Sequence, residues 1–224
     1  MVIAETFASI QGEGMLAGVP SFFIRTSGCN LRCSWCDTPY ASWRPEGRRV
    51  TVEELAAGAV ASGCAHVVVT GGEPLLQREI GALTSALAVA GLHVTVETAG
   101  TLAPEFECSL LSVSPKTANS DPEGRFRERH RTLRLELAPL GKLLARHREH
   151  QLKFVVRDES DIPEVLDLVA RLGAARERVV LMPEGRTGGE VAGRARAVAA
   201  LCLRHGFRYS PRLHLDLFGP GRGV

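Results

Sequence analysis

The stretch Cys29-Asn30-Leu31-Arg32-Cys33-Ser34-Trp35-Cys36 places three thiols in eight consecutive residues, with gaps of three and two residues between them. The other cysteines, Cys64, Cys108 and Cys202, are scattered in apolar surroundings, which is typical of core thiols. A disulfide framework does not concentrate half of its cysteines in one short segment. Because one loop can wrap three thiolates around a single inorganic centre, the stretch predicts a metal or redox site.

The number of thiols limits what that centre can be. Structural zinc takes four protein ligands, generally as two separated pairs, and the cysteine stretch has no fourth Cys or His beside it. A zinc site completed by the distant His66 or His214 remains an alternative. A cubane iron-sulfur cluster has four irons that are usually held by four cysteines. Three thiolates would therefore leave one iron open to a chelator from outside the chain.

Composition excludes several other classes of protein. The chain has 224 residues, of which 45% are apolar, and this is enough to bury a sizeable core. Its 27 Lys and Arg against 25 Asp and Glu give a net charge of +2, which is not the balance of a general nucleic-acid-binding protein. Positive charge is concentrated in residues 125–150, a segment that contains eight Lys and Arg but only three Glu. We interpret this segment as a solvated basic face, with a docking site for an anionic partner as the alternative.

The chain begins without a basic segment followed by a long apolar one, and no apolar run approaches the roughly eighteen residues of a membrane span. We therefore expect a cytoplasmic protein with reduced thiols, and neither a membrane nor a nucleic acid as its partner.

Short apolar runs alternate with amphipathic segments along most of the chain, which favours an α/β fold around a largely parallel sheet. We expect one domain over residues 1–224 with the cysteines in a long loop at 28–50, and a second irregular region at 115–131. The strand and helix predictions follow. Strands are expected at Ser21–Thr26, His66–Thr70, His93–Glu97, Leu110–Ser114, Leu152–Val156 and Arg178–Met182. Helices are expected at Val52–Ser62, around Leu76, Ile80, Leu83 and Leu87, at Asp161–Leu172 and around Val191–Cys202.

This number of strands fits a partial or distorted (βα) barrel, in which the loops after the strand ends carry the chemistry. The segments that should share that rim are Arg25, residues 70–73, 97–98, 114–116 and 182–185.

The CxxxCxxC spacing resembles the signature of the radical S-adenosylmethionine (SAM) enzymes. Thr70-Gly71-Gly72-Glu73-Pro74, directly after an apolar run, resembles their GGE motif, which binds the amino group of SAM. The resemblance implies a radical SAM barrel with one 4Fe-4S cluster on Cys29, Cys33 and Cys36, whose open iron is chelated by SAM. It also implies a SAM-binding set: Trp35, Cys36, Asp37, Gly72, Glu73, Ser114, Pro115, Lys116, Met182, Pro183, Glu184 and Gly185.

The segment Ser9-Ile10-Gln11-Gly12-Glu13-Gly14 resembles, within that superfamily, the 7-carboxy-7-deazaguanine synthases of the queuosine pathway, and the resemblance extends over most of the chain. It implies conversion of 6-carboxy-5,6,7,8-tetrahydropterin to 7-carboxy-7-deazaguanine with release of ammonia, and Mg²⁺ bound through Thr38. A homodimer and a flavodoxin or ferredoxin as electron donor are implied as well. The implied substrate-binding residues are Ile10, Gln11, Gly12, Glu13, Arg25, Thr70, Glu97, His214 and Val224.

Several alternatives stay open at this point. Arg25 is either a clamp for the substrate carboxylate or half of a salt bridge, and Lys153 is either structural or functional. Met182 stands where the family often has Gln, so backbone contacts to the adenine are expected there. Other functions that share the cysteine loop are a glycyl-radical-enzyme activase and a zinc or iron-sulfur interaction module.

Overall fold

The computed structural model describes residues 1–223, and in that part of the chain nine strands form one sheet. The sheet order is β3-β1-β2-β4-β5-β6-β7-β8-β9. β2 and β4 to β9 run parallel, whereas β1 is antiparallel to both of its neighbours. The strands are β1 (Val2–Ile10), β2 (Pro20–Thr26), β3 (Arg48–Arg49), β4 (His66–Gly71), β5 (His93–Thr98), β6 (Leu110–Val113), β7 (His150–Val156), β8 (Val179–Pro183) and β9 (Arg208–Tyr209).

Helices occupy most of the connections between these strands. They are α1 (Val52–Ala61), α2 (Ile80–Val89), α3 (Arg127–Leu135), α4 (Leu137–Arg146), α5 (Ile162–Leu172), α6 (Gly188–His205) and α7 (Leu213–Phe218). The edge strands β3 and β9 do not pair with each other within residues 1–223, so the sheet is open and the architecture is a partial barrel, as expected. None of the helices in this part of the chain is long and apolar enough to cross a membrane.

Side chains of the parallel strands alternate between two different environments. One set, including Ile24, Val69, Val96 and Leu152, joins the buried hydrophobic core with residues of the helices. The alternate set on the other face is buried but largely polar. It includes Thr70, Thr95, Ser112, Gln151 and Lys153. The partial barrel therefore has a polar interior, and this interior leads to the carboxyl ends of the strands.

The six strands predicted from sequence all exist, with ends displaced by at most two residues. The capping box at Thr51 and Glu54 is also confirmed, since the Thr51 hydroxyl accepts from the Glu54 amide at 3.1 Å and the Glu54 carboxylate accepts from the Thr51 amide at 2.9 Å. The loop at 28–50 is irregular except for a short 3-10 turn at Pro39–Ala41 and the two residues of β3. The helix expected around Leu76 begins later, at Ile80.

The prediction of an irregular region at 115–131 is wrong for its last five residues, which form the start of α3. α3 buries His130 and Arg134 instead of an apolar stripe, so hydrophobic periodicity does not reveal it. The Arg134 guanidinium bonds to Asp121 at 2.6 Å and to Glu164 at 2.6 Å. An ion-pair network thus holds a helix that its composition alone does not predict.

Replacing Thr51 with Ala removes the cap of α1. We expect the free energy of unfolding to fall by about 1 kcal/mol in urea denaturation, because the amide of Glu54 loses its acceptor. Thr132→Ala, at an exposed position inside α3, is the matched control and should be neutral or slightly stabilising. Equal losses in the two variants would contradict a capping role for Thr51.

Candidate active site

The three clustered cysteines lie on the loop that follows β2. Trp43 fixes this loop by donating its indole N–H to the Cys33 carbonyl at 3.0 Å. The Arg32 guanidinium turns back to the Cys29 carbonyl at 2.7 Å, and the Ser34 amide donates to the Ser120 carbonyl at 3.0 Å. Cys29, Cys33 and Cys36 are all free and half-buried. The chain thus holds three thiols on one restrained loop.

The thiols influence one another electrostatically. Burial raises the pKa of Cys29 to about 12, and the neighbouring Glu73, Cys33 and Cys36 add to that effect. Burial likewise raises the pKa of Cys33 to about 11, while Lys116 acts in the opposite direction. Without metal the two groups are therefore protonated at neutral pH, and metal binding must release those protons.

The arrangement of these donors fits a cluster better than a single ion. Among residues 1–223 no three His, Cys, Asp or Glu side chains converge as ligands of one metal ion. Structural zinc needs four ligands around one point, whereas in a cubane the cysteines bind different irons. The loop thus offers three separate sulfur ligands and does not favour the zinc alternative.

The cysteine loop lies directly against the Gly71-Gly72-Glu73 turn at the end of β4. A Cβ atom on Gly72 would lie 2.2 Å from the carbonyl oxygen of Gly28 and 2.3 Å from that of Ala41. The amide of Glu73 donates to the Gly28 carbonyl at 2.8 Å. Because backbone touches backbone at this contact, only glycine fits at position 72.

Glu73 anchors this turn to the end of β5. Its side chain is completely buried and accepts from the Thr98 hydroxyl at 2.7 Å, the Ala99 amide at 2.8 Å and the Leu75 amide at 3.1 Å. Burial raises the pKa of Glu73, although these hydrogen bonds oppose the shift. Three donors of this chain thus fix the carboxylate in place. The Gly72 carbonyl beside it accepts no hydrogen bond within residues 1–223.

A polar network links the N-terminal loop to the strand ends. The Lys153 ammonium lies 2.5 Å from the Glu13 carboxylate and 3.6 Å from that of Glu97. Glu97 also accepts from the Gln11 amide group at 3.2 Å and from the Thr70 hydroxyl at 3.1 Å. Five side chains from four segments therefore meet here. Of the five, Thr70 and Glu97 belong to the strand ends that were predicted to share one rim, whereas Gln11, Glu13 and Lys153 join them from outside that grouping.

The charges of this network are fixed by their pairing. Burial alone would raise the pKa of Glu13, but Lys153 and Arg212 lower it well below its ordinary value. Burial alone would lower the pKa of Lys153, but Glu13 and Glu97 raise it. Both groups are thus charged at neutral pH. The sequence leaves the role of Lys153 open. In the structure its ammonium forms ion pairs with Glu13 and Glu97, two of the predicted site carboxylates.

Sequence reasoning missed Arg212, a buried residue just before α7. Its guanidinium lies 3.1 Å from the Glu13 carboxylate and also bonds to the Asp37 carboxylate and the Gly185 carbonyl. Burial would raise the pKa of Asp37, yet Arg212 lowers it. One side chain thus joins the cysteine loop, the N-terminal loop and the end of β8. A single arginine in a polar tail gives no sequence signal for this role.

Arg25 forms the salt bridge that the sequence left as an alternative. Its Nε donates to Glu5 at 2.7 Å, the Tyr40 hydroxyl donates to the same oxygen at 2.6 Å, and the guanidinium lies 5.6 Å from the centre of the Phe7 ring. No hydrogen bond within residues 1–223 uses the two terminal nitrogens of Arg25. The salt bridge and a clamp for a carboxylate are therefore compatible.

His214 is packed on the N-terminal loop. A Cβ on Gly12 would lie 2.0 Å from the His214 Nδ1, and the Leu213 amide donates to the Gly12 carbonyl at 2.9 Å. Ile10, the last residue of β1, is half-buried beside the loop that contains Gln11 and Glu13. Val224 lies outside the described residues.

The remaining predicted SAM residues lie on the ends of β6 and β8 and on the cysteine loop. The Lys116 ammonium donates to the Ser114 hydroxyl at 2.8 Å and lies 5.2 Å from the centre of the Trp35 ring. The Glu184 carboxylate pairs with Arg194 at 3.4 Å, so its charge is already balanced. Pro115, Met182, Pro183 and Gly185 are buried.

Thr38 lies two residues after the last cysteine of the loop. Its hydroxyl is 3.9 Å from the Cys36 sulfur, and the residue is half-buried. Asp37, next to it, is engaged with Arg212.

Comparisons with known proteins agree with this geometry. Residues 23–136 match the radical SAM superfamily. The chain is 44% identical to a 7-carboxy-7-deazaguanine synthase of Rhodopirellula baltica, over 100% of this chain and 89% of the relative. It is 46% identical to one of Halobacterium salinarum, over 96% and 90% of the two chains. The crystal structure of QueE from Escherichia coli superposes with a TM-score of 0.68 at 25% identity, over 93% and 92% of the two chains.

Arg212→Ala should lower the free energy of unfolding by about 3 kcal/mol, because Glu13 loses one of its two cations in a largely buried site. Arg204→Ala removes an exposed ion pair with Glu159 and should cost less than about 1 kcal/mol, which makes it the matched control. The measurement is urea denaturation of both variants. A loss for Arg212→Ala no larger than that of the control would mean that Arg212 does not hold the three segments together.

Proposed function

We propose a role for each site residue in the reaction of the family to which this chain belongs. That family is the 7-carboxy-7-deazaguanine synthases of queuosine biosynthesis, within the radical SAM superfamily. The enzyme converts 6-carboxy-5,6,7,8-tetrahydropterin to 7-carboxy-7-deazaguanine with release of ammonia. The observation that carries this function is the direct contact of a three-cysteine loop with the Gly71-Gly72-Glu73 turn, at the rim where the polar network meets.

We propose that Cys29, Cys33 and Cys36 hold a 4Fe-4S cluster, which together with SAM supplies the 5′-deoxyadenosyl radical that takes a hydrogen atom from the substrate. The loop contributes three restrained sulfurs and no fourth ligand from its own sequence. Lys116, whose charge favours the Cys33 thiolate, supports metal binding at this place.

The proposed SAM site lies between the cysteine loop and the ends of β4, β6 and β8. The Gly72 backbone serves the methionyl amino group, while the buried Glu73 carboxylate keeps the turn in position. Lys116 and Ser114 offer donors on one side, where Trp35 stacks below the Lys116 ammonium. The remaining members of the set are Cys36, Asp37, Pro115, Met182, Pro183, Glu184 and Gly185.

The proposed substrate site is the polar network at the mouth of the barrel. The edge of a pterin ring alternates donors and acceptors, and Gln11 and Glu13 present both kinds of group. Lys153 keeps Glu13 ionised, so Glu13 accepts hydrogen bonds from the ring. Thr70 and Glu97 lie beside them. The backbones of Ile10 and Gly12, together with His214 and Val224, complete the proposed set.

Arg25 is proposed to bind the substrate carboxylate. Glu5 and Phe7 hold its guanidinium in place through Nε and the ring face, so the planar fork is already oriented when a carboxylate arrives.

Thr38 is proposed to bind Mg²⁺ through its hydroxyl. Mg²⁺ uses oxygen ligands, retains several waters and takes few ligands from protein. The Asp37 carboxylate is held by Arg212, so the hydroxyl of Thr38 and oxygens of the substrate would provide the coordination.

We also propose a homodimer, a cytosolic location and a flavodoxin or ferredoxin as electron donor. The six free cysteines suit a reducing compartment. The similarity over whole chains to 7-carboxy-7-deazaguanine synthases favours a small substrate over the protein substrate of a glycyl-radical-enzyme activase.

The function is tested by turnover of the anaerobically reconstituted enzyme with dithionite, SAM, Mg²⁺ and the carboxylated tetrahydropterin. We expect 7-carboxy-7-deazaguanine and ammonia in equal amounts, measured by liquid chromatography and an ammonia assay. Cys33→Ala should form neither, because the cluster loses one of its three ligands. Cleavage of SAM without the deazapurine product would refute the substrate, and normal iron content in Cys33→Ala would refute the ligand assignment.

The magnesium site is tested by measuring the rate of product formation against Mg²⁺ in chelator-treated buffer. Thr38→Ala should require a Mg²⁺ concentration at least about tenfold higher for half-maximal rate, since a direct ligand is lost. Thr38→Ser keeps the hydroxyl and should respond like the wild type. Identical Mg²⁺ dependence of the Ala and Ser variants would rule out Thr38 as a ligand.

A further inference from the structure

The start of α3 and the turn before it lie against the cysteine loop. The Arg32 amide donates to Nδ1 of the buried His130 at 3.0 Å, and His130 Nε2 lies 2.9 Å from the Ser120 hydroxyl. Phe126 contacts the Trp43 ring edge-on at 5.7 Å, and Trp43 bonds to the Cys33 carbonyl. The surface of α3 is therefore built onto the cysteine loop itself.

Three arginines surround Phe126 on this surface. The guanidinium of Arg32 lies 5.5 Å and that of Arg125 4.7 Å from the centre of the Phe126 ring, and Arg129 lies beside them. Arg125 and Arg129 are exposed and Arg32 is half-buried. We call Arg32, Arg125 and Arg129 the arginine face. Because the Arg32 and Arg125 guanidinium groups both stack on the Phe126 ring, two of the three charges of the arginine face have fixed positions.

The charges of the arginine face are not neutralised within the molecule. Across residues 1–223, none of its three members pairs with a carboxylate, although other arginines of α3 do. Asp121 is engaged by Arg131 and Arg134, and Glu128 by Arg131 at 4.0 Å. Glu123, two residues before Arg125, is exposed and pairs with none of the three arginines. The face thus presents a local positive charge on a protein whose net charge is only +2.

A cavity of about 60 Å³ separates this face from Cys29. It has room for about two water molecules, so it is too small for a nucleotide. Cys29 and Asn30 line it together with Arg32, Arg129 and His130. The first proposed cluster ligand therefore lies immediately behind the charged surface.

We propose that the arginine face is the docking surface for an acidic one-electron carrier protein of the flavodoxin or ferredoxin class. The proposal rests on the proposed function, because the electron is delivered to a cluster on Cys29, Cys33 and Cys36. The carrier is oxidised by one electron and the cluster is reduced by that electron. No atom or proton is transferred.

Charge, position and size all suit this partner. Electron transfer slows steeply with distance, and this face borders the cavity that Cys29 lines. Complexes of redox carriers are small and short-lived, and opposite charges mainly raise the rate of encounter. A nucleic acid would instead require an extended basic stripe, whereas this face is a compact group of three arginines around one aromatic ring.

The experiment compares Arg125→Glu/Arg129→Glu with Arg148→Glu/Arg196→Glu. Both double variants change the net charge equally. Arg148 is exposed just before the amino end of β7, whereas the cysteine loop follows the carboxyl end of β2, and Arg196 is exposed on α6. Reductive cleavage of SAM is measured with reduced flavodoxin and, separately, with dithionite. Binding of oxidised flavodoxin is measured by fluorescence anisotropy at low and high salt.

We expect Arg125→Glu/Arg129→Glu to raise both the KM for flavodoxin and its Kd at least about tenfold at low salt, and less at high salt because the interaction is screened. The control variant should behave like the wild type, and dithionite should give equal rates in all three proteins. Arg125→Gln/Arg129→Gln provides a milder version with a smaller expected increase.

Equal effects of the two Glu variants on KM and Kd would overturn the docking surface. So would tight, Arg125- and Arg129-dependent binding of a single-stranded oligonucleotide combined with unchanged flavodoxin binding. Failure of the wild type to cleave SAM with dithionite would instead refute the proposed function, and the anisotropy measurement would still decide the docking surface.

Discussion

The close contact between the cysteine loop and the Gly71-Gly72 backbone is the constraint on which the rest of the site depends. Two carbonyl oxygens, from Gly28 and Ala41, occupy the space that any side chain at position 72 would need. The loop is therefore fixed against the end of β4, and Glu73 fixes β4 in turn against the end of β5. Three thiols are thus held at a defined place on the rim, instead of on a free loop of more than twenty residues.

Electrostatics organises the other half of the site. Lys153 and Arg212 both contact Glu13, and they extend from it to Glu97 and Asp37. Buried ion pairs of this kind add little net stability, because the free energy needed to remove the charges from water is about as large as the free energy of their attraction. Their effect here is to keep carboxylates ionised and oriented in the polar interior. A site that binds a flat, polar ring needs such fixed acceptors before the ring arrives.

Sequence alone predicted the parts of the molecule that depend on local pattern. Parallel strands such as β4 and β8 are buried on both faces and therefore appear as continuous apolar runs. The capping box of α1 and the cysteine spacing are equally local. In contrast, β1 mixes exposed and half-buried positions, and β3 and β9 have two exposed residues each, so none of them stands out. Arg212 was missed because its partner Asp37 is 175 residues away in the chain.

The central claim is that the loop thiols leave one iron open and that SAM binds it through its amino group beside Gly72. Electron-nuclear double resonance on the reduced enzyme with SAM carrying ¹⁵N in the methionyl amino group tests this directly. The account predicts a ¹⁵N hyperfine coupling to the cluster in the wild type, which disappears when unlabelled SAM is used. A reduced cluster with SAM bound but without any ¹⁵N coupling would contradict it.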